Sequence, residues 1–148
     1  LQEYCTVNSL VNKSNSDSDY LVLKRLNIYE ISKKMKIELS KFKVKSGKSA
    51  RVDEWMSVLR DHLPEVLLTL EREKMYVESI FREIELNSEY LYWFTIQGDS
   101  NATLMDSPHV IDKIHLEFWR ECIDCDVPAK DLRLEANFLP SKVADTMN

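Results

Sequence analysis

Between residues 36 and 139 the spacing of apolar residues changes period four times, and that succession constrains the fold more than any other feature of the chain. "KIELSKFKVK" (36–45) alternates as a strand does. Its Ile37 and Leu39 fall out of phase with Phe42 and Val44, which predicts a bulge near Ser40–Lys41. Ser49 is placed to cap a long helix, and Val52, Trp55, Met56, Leu59, Leu63, Val66, Leu67 and Leu70 then recur at helical spacing. Pro64 removes one backbone hydrogen bond from that stretch, so a kink or a restart is expected there. "MYVESIFREIEL" (75–86) and "EYLYWFTIQ" (89–97) read as two strands turning at Asn87–Ser88. Ser107 and Pro108 suit the N-cap and first position of a second helix, 109–124. "LRLEANFL" (132–139) alternates again, as a half-buried final strand would.

The order is β-α-β-β-α-β, which predicts an α+β, ferredoxin-like domain: a four-stranded antiparallel sheet with both helices on one face. A turn at Asn87–Ser88 would set Glu85, Glu83, Phe81 and Ser79 against Tyr90, Tyr92, Phe94 and Ile96. That set is the richer in rings and is expected beneath the helices. The opposite set, with Glu78, Arg82, Trp93 and Gln97 side by side, would then lie on the open face. A slip of one residue would exchange the two.

Composition narrows the function more by exclusion. The chain has 148 residues, enough for one domain, and only two glycines, Gly47 and Gly98. "SGKS" at 46–49 therefore lacks the earlier glycine of a phosphate-binding loop. Residues 35–148 carry 15 Lys/Arg against 21 Asp/Glu, a net of −6, so neither nucleic acid nor a membrane surface is an expected partner. No apolar run reaches the length of a membrane span, and the N-terminus lacks the layout of a signal peptide. Three cysteines are too few for a disulfide scaffold, and a cytoplasmic protein with reduced thiols is expected. "NKSNSDSD" (12–19) has the composition of a linker, and 20–34 fits a strand or a short helix equally. We therefore expect an N-terminal extension at 1–34, the ferredoxin-like domain at 35–139, with Met35 as its natural start, and a C-terminal tail at 140–148.

His62 and His115 stand on or beside the apolar stripes of their helices, and either could serve as a catalytic general base. The ordinary alternative is a hydrogen-bonded histidine at the core edge. Neither "RDHLPE" nor "HLEFW" has the paired spacing of a zinc helix, so no metal is expected. Glu78, Arg82, Trp93 and Gln97 are candidate ligand-binding residues, because a Glu–Arg pair beside an indole can orient a carboxylate or a hydroxylated ring. The same pair could equally be a structural ion pair. "CIDC" (122–125) lies at a helix C-terminus, where the dipole opposes a thiolate; one packed and one surface cysteine are expected. No cofactor is implied.

Tyr90, Tyr92 and Phe94 resemble in outline the third strand of an RNA recognition motif, but the basic residue and glycine that open that motif are absent. A more extensive match runs through "FKVKSGKSARVDEWMSVLRDHLPEVLLTLEREKMYVESIFREIELNSEYLYWFTIQG" and "IDKIHLEFWRECID". Over residues 36–126 the chain resembles a small bacterial family of unknown function of the dimeric α/β-barrel type. The resemblance implies a homodimer in which two sheets pack face to face, and it brings no catalytic residues. The readings left open are a dimer holding a small organic ligand in the barrel, a cofactor-independent monooxygenase or isomerase, and a protein-interaction module.

Overall fold

The computed structural model describes residues 35–100, 102, 104 and 107–147. The expected N-terminal extension at 1–34, including the polar run, the 20–34 segment and Cys5, lies outside the described residues. The elements are β1 (Lys36–Lys43), α1 (Ser49–Asp61), α2 (Leu63–Arg72), β2 (Met75–Glu85), β3 (Ser88–Gln97), α3 (Val110–Cys122), β4 (Lys130–Asp131) and a single turn of helix, α4 (Ser141–Ala144). The strands lie in the order β2-β3-β1-β4, and every neighbouring pair is antiparallel. This is the α+β, ferredoxin-like arrangement that the changing period predicts.

Pro64 restarts the first helix rather than kinking it. α1 ends at Asp61, His62 lies between the two helices, and Pro64 occupies the first turn of α2, where its missing N–H costs no bond. α3 begins at Val110, with His109 rather than Ser107 at its N-cap. Ser107 accepts the His109 N–H through its hydroxyl, so it orders the approach to the helix rather than its first turn.

The core forms where α1 and α3 lie on the sheet. Val52 and Trp55 from α1, Phe118, Trp119 and Cys122 from α3, and Phe42, Val44, Leu91 and Trp93 from the sheet make one buried cluster. Three indoles meet at its centre, with ring centroids 5.5–6.0 Å apart, and Phe42 meets Trp119 edge-on at 4.7 Å. Cys122 is packed in this cluster and Cys125 is exposed.

Four expectations about the sheet are corrected. β1 has no bulge, because its residues pair one for one with β3 from Lys36–Gln97 to Lys43–Tyr90; the irregularity lies in β2, between Met75 and Val77. The hairpin turns at Leu86–Asn87, with Glu85 opposite Ser88, so each pair sits two residues from the expected register. A two-residue shift keeps every side chain on its own face. Which face is covered, however, is the reverse of the expectation. Leu91 and Trp93 lie beneath the helices, whereas Tyr90, Tyr92 and Phe94 alternate with them on the open side, alongside Phe81. Finally, 132–139 is not a strand. Pairing of β4 with β1 stops after Leu132 donates its N–H to Leu39, and Leu134 and Phe138 are exposed. The alternation at 132–139 is amphipathic, but within one chain its apolar side meets no layer.

Candidate functional site

The space between sheet and helices has two halves of different character. At one end it is filled by the indole cluster. At the other end the same faces of the same elements turn polar. β1 passes from Val44 and Phe42 to Ser40 and Glu38, β3 from Leu91 and Trp93 to Thr95 and Gln97, and α3 from Trp119 to His115 and Asp112. These residues do not fill the space. They line a cavity of about 310 Å³, roofed by Leu59 of α1, Val66, Thr69 and Leu70 of α2, and Ile111 of α3. Met75 and Glu78 of β2 complete its floor, and Glu73, Lys36 and Ser100 also contribute to its lining. The volume is at the small end of the range for small-molecule sites, roughly 300–1,000 Å³.

Of the sequence candidates, four converge here. Trp93 stands where the core ends and the cavity begins, and its indole N–H donates to Glu78 Oε1 at 2.8 Å. Gln97 donates through Nε2 to the backbone carbonyl of Glu73 at 3.1 Å, tying the end of β3 to the end of α2. His115 is buried against Trp55 and Trp93. Its Nδ1 accepts the Trp55 indole N–H at 3.2 Å, so the neutral ring carries its proton on Nε2. Burial pushes its pKa down to about 3, which leaves the imidazole neutral near pH 7. It has the position of a site residue without the basicity of a general base.

The other two lie elsewhere. His62 is exposed at the α1–α2 junction, where its Nδ1 lies 3.0 Å from the Val58 carbonyl oxygen. Arg82 shares the helix-covered face of β2 but sits at the far end from the cavity. It binds Asp53 and the Ser49 hydroxyl of α1 and pairs with Glu89 of β3 at 2.6 Å. It fastens a helix to the sheet and does not line the cavity.

The sequence reading misses two acids. Asp112 is 5% exposed, and its Oδ2 has no hydrogen-bond partner among the described residues. Glu73 is 9% exposed and sits at the end of α2. Burial pushes the Glu73 pKa up to about 7, and repulsion from Asp112 adds to the shift while Arg72, 3.4 Å away, opposes it. Glu78 is raised as well, first by burial, with the Trp93 hydrogen bond acting against the shift. The signal for Asp112 was present in the spacing: residues 112, 115 and 119 share one helical face, and two of the three are an imidazole and an indole bound for the interior.

The lining thus offers several carboxyl oxygens, hydroxyls on Ser40, Thr69 and Thr95, an amide and an indole. Such a wall accepts hydrogen bonds more than it donates them, and carboxyls poised near neutral pH are able to exchange protons. Among the described residues no group of three or more His, Cys, Asp or Glu side chains is arranged to hold a metal ion. Nor is any described helix long and apolar enough to cross a membrane.

No functionally curated protein matches the chain. Among solved structures it is similar to an L-rhamnose mutarotase from Formosa agariphila, at 20% sequence identity and a TM-score of 0.41. That similarity covers 71% of this chain and 98% of the mutarotase chain. A family model matches residues 35–145, through the sheet, the helices and every cavity-lining residue named above. The chain belongs to that family, a family of unknown function designated DUF6176.

Proposed function

We propose that this protein binds a small organic molecule in the cavity between its sheet and its helices. The observation that carries this reading is Asp112, a buried acid in the cavity lining whose Oδ2 has no hydrogen-bond partner among the described residues. A buried unpaired acceptor costs about 1–3 kcal/mol, more when charged, and a ligand donor would relieve that cost. The test is a thermal-shift screen of small polar molecules against the wild type and Thr95→Leu. The substitution extends an apolar side chain into the cavity from β3. Compounds that raise the wild-type Tm should lose their effect on the variant. Hits that act equally on both would move the site elsewhere.

An enzymatic reading is favoured by one observation, the Glu73 pKa of about 7 beside a second raised carboxyl, Glu78. A pair of this kind suits proton transfer in an isomerisation, with Glu73 as acid and base in place of His62 or His115. Loss of turnover but not of binding in Glu73→Gln would support it.

We also propose that the protein is a homodimer joined through the open sheet face. Tyr90, Tyr92, Phe94 and Phe81 form a ring-rich surface there. At its centre Glu83 accepts hydrogen bonds from Lys41 at 2.9 Å and Tyr92 at 2.6 Å. A face of this composition suits burial against a second copy, its Lys41–Glu83 ion pair already satisfied within the protomer. The cytoplasm is the compartment we assign, since it keeps a thiol such as that of Cys122 reduced.

A further inference from the structure

We infer that the ligand of this cavity is a small organic cation, an amine whose ammonium group is held by Glu78 and Asp112 beside the Trp93 indole. The inference rests on the binding-site reading above and goes further by naming the chemical class.

It follows from the charges that face the cavity, taken element by element. β1 contributes Lys36 and Glu38, which pair with each other at 3.0 Å. The end of α2 contributes Glu73, which has Arg72 at 3.4 Å. β2 contributes Glu78, and α3 contributes Asp112 and His115. The imidazole is neutral, because burial holds its pKa at about 3. Two carboxyls therefore remain without a cation among the described residues, and one of them has an oxygen with no hydrogen-bond partner at all. Among the described residues Glu78 receives the Trp93 indole N–H.

Buried carboxylates are stable when a cation shares their enclosure, and among the described residues none pairs with Glu78 or Asp112. An anion would meet repulsion from Glu78 and Asp112. A neutral polyol would satisfy the lone pairs of Asp112 but leave the charge uncompensated. An ammonium supplies both the donors and the charge.

This ligand class has a proton signature. A cation favours the ionised carboxyls, and burial pushes the Glu73 pKa up to about 7 and raises that of Glu78. Binding should therefore release protons, and affinity should rise as those groups ionise. One proton displaced from a group of pKa about 7 corresponds to roughly a tenfold gain in affinity between pH 6 and pH 8.

The experiment is isothermal titration of the full chain with paired probes: benzylamine and benzyl alcohol, tyramine and its alcohol analogue, putrescine and 1,4-butanediol, with benzoate and a set of pentitols and hexoses beside them. Each is run at pH 6 and pH 8 in buffers of different ionisation enthalpy. We expect at least one amine to bind, its alcohol partner to bind at least tenfold more weakly, and protons to be released on binding. Asp112→Asn and Glu78→Gln should each weaken the amine at least tenfold while leaving the circular dichroism spectrum unchanged. If polyols bind and amines do not, or if the amine binds without proton release, the cation assignment falls and the cavity remains a binding site. If no probe binds and none perturbs Trp93 fluorescence, the cation assignment and the binding-site reading fall together.

Discussion

His115 and Glu78 place opposing demands on the folded state, and pH is the variable that separates them. The His115 pKa is about 3 in the folded protein, against about 6.5 in an unfolded chain. Between those values the unfolded state binds a proton that the folded state refuses, so stability falls as pH drops below 6.5. At pH 4 that single group removes roughly 3 kcal/mol. Glu73 and Glu78 act in the opposite direction. Their folded pKa values are raised, so the folded state holds protons that the unfolded state has lost, and the stability present below about pH 4.5 diminishes as pH rises through the folded values. The ligand-free protein should therefore be most stable in mildly acidic solution. Glu78→Gln keeps an acceptor for the Trp93 N–H and removes the charge. It should raise the Tm at pH 8 and leave it nearly unchanged at pH 5, as followed by differential scanning calorimetry. Equal effects at both pH values would show that the Glu78 charge is not what costs stability.

Among the elements, β3 explains both what the sequence revealed and what it concealed. Its strand character, its partners and its division into two faces are legible, because a period of two needs nothing beyond the order of residues. Which face lies beneath the helices is not legible from β3 alone. The usual inference assigns the more apolar face to the core, and in β3 that is the Tyr90–Tyr92–Phe94 face. The covered face carries Thr95 and Gln97 because it floors a cavity, so the cavity itself inverts the pattern. The same cause accounts for the bulge expected in β1. Glu38 and Ser40 share the covered face with Phe42 and Val44, and a polar floor beneath one end of a strand looks, in sequence, like a change of phase. The termination of β4 after two residues is illegible for another reason: alternation at 132–139 reports amphipathy, not a pairing partner. The open face of β3 carries its own prediction. Sedimentation equilibrium should find a dimer for the wild type and a monomer for Phe81→Glu, which puts a charge on an already exposed position of that face. Leu67→Glu, on the exposed side of α2, should leave the dimer intact. A monomeric wild type would remove the sheet-to-sheet interface.

For the molecule as a whole, the ferredoxin-like plan separates the packed core from the proposed binding site along one axis. The indole cluster at one end of the interlayer space holds the helices to the sheet, and Arg82 reinforces that attachment through Asp53 and Ser49. The other end leaves charged and polar groups buried and incompletely satisfied. Proteins keep such groups at a cost in stability where a ligand needs them. The most direct test is the unfolding free energy of Asp112→Asn in the absence of any ligand, measured at pH 8 by urea titration against the wild type. If the Asp112 carboxylate is kept for a ligand, the variant should be as stable as the wild type or more so, with an unchanged m-value. A loss of more than about 2 kcal/mol would mean that the carboxylate holds the fold together, and it would contradict the cavity as a binding site.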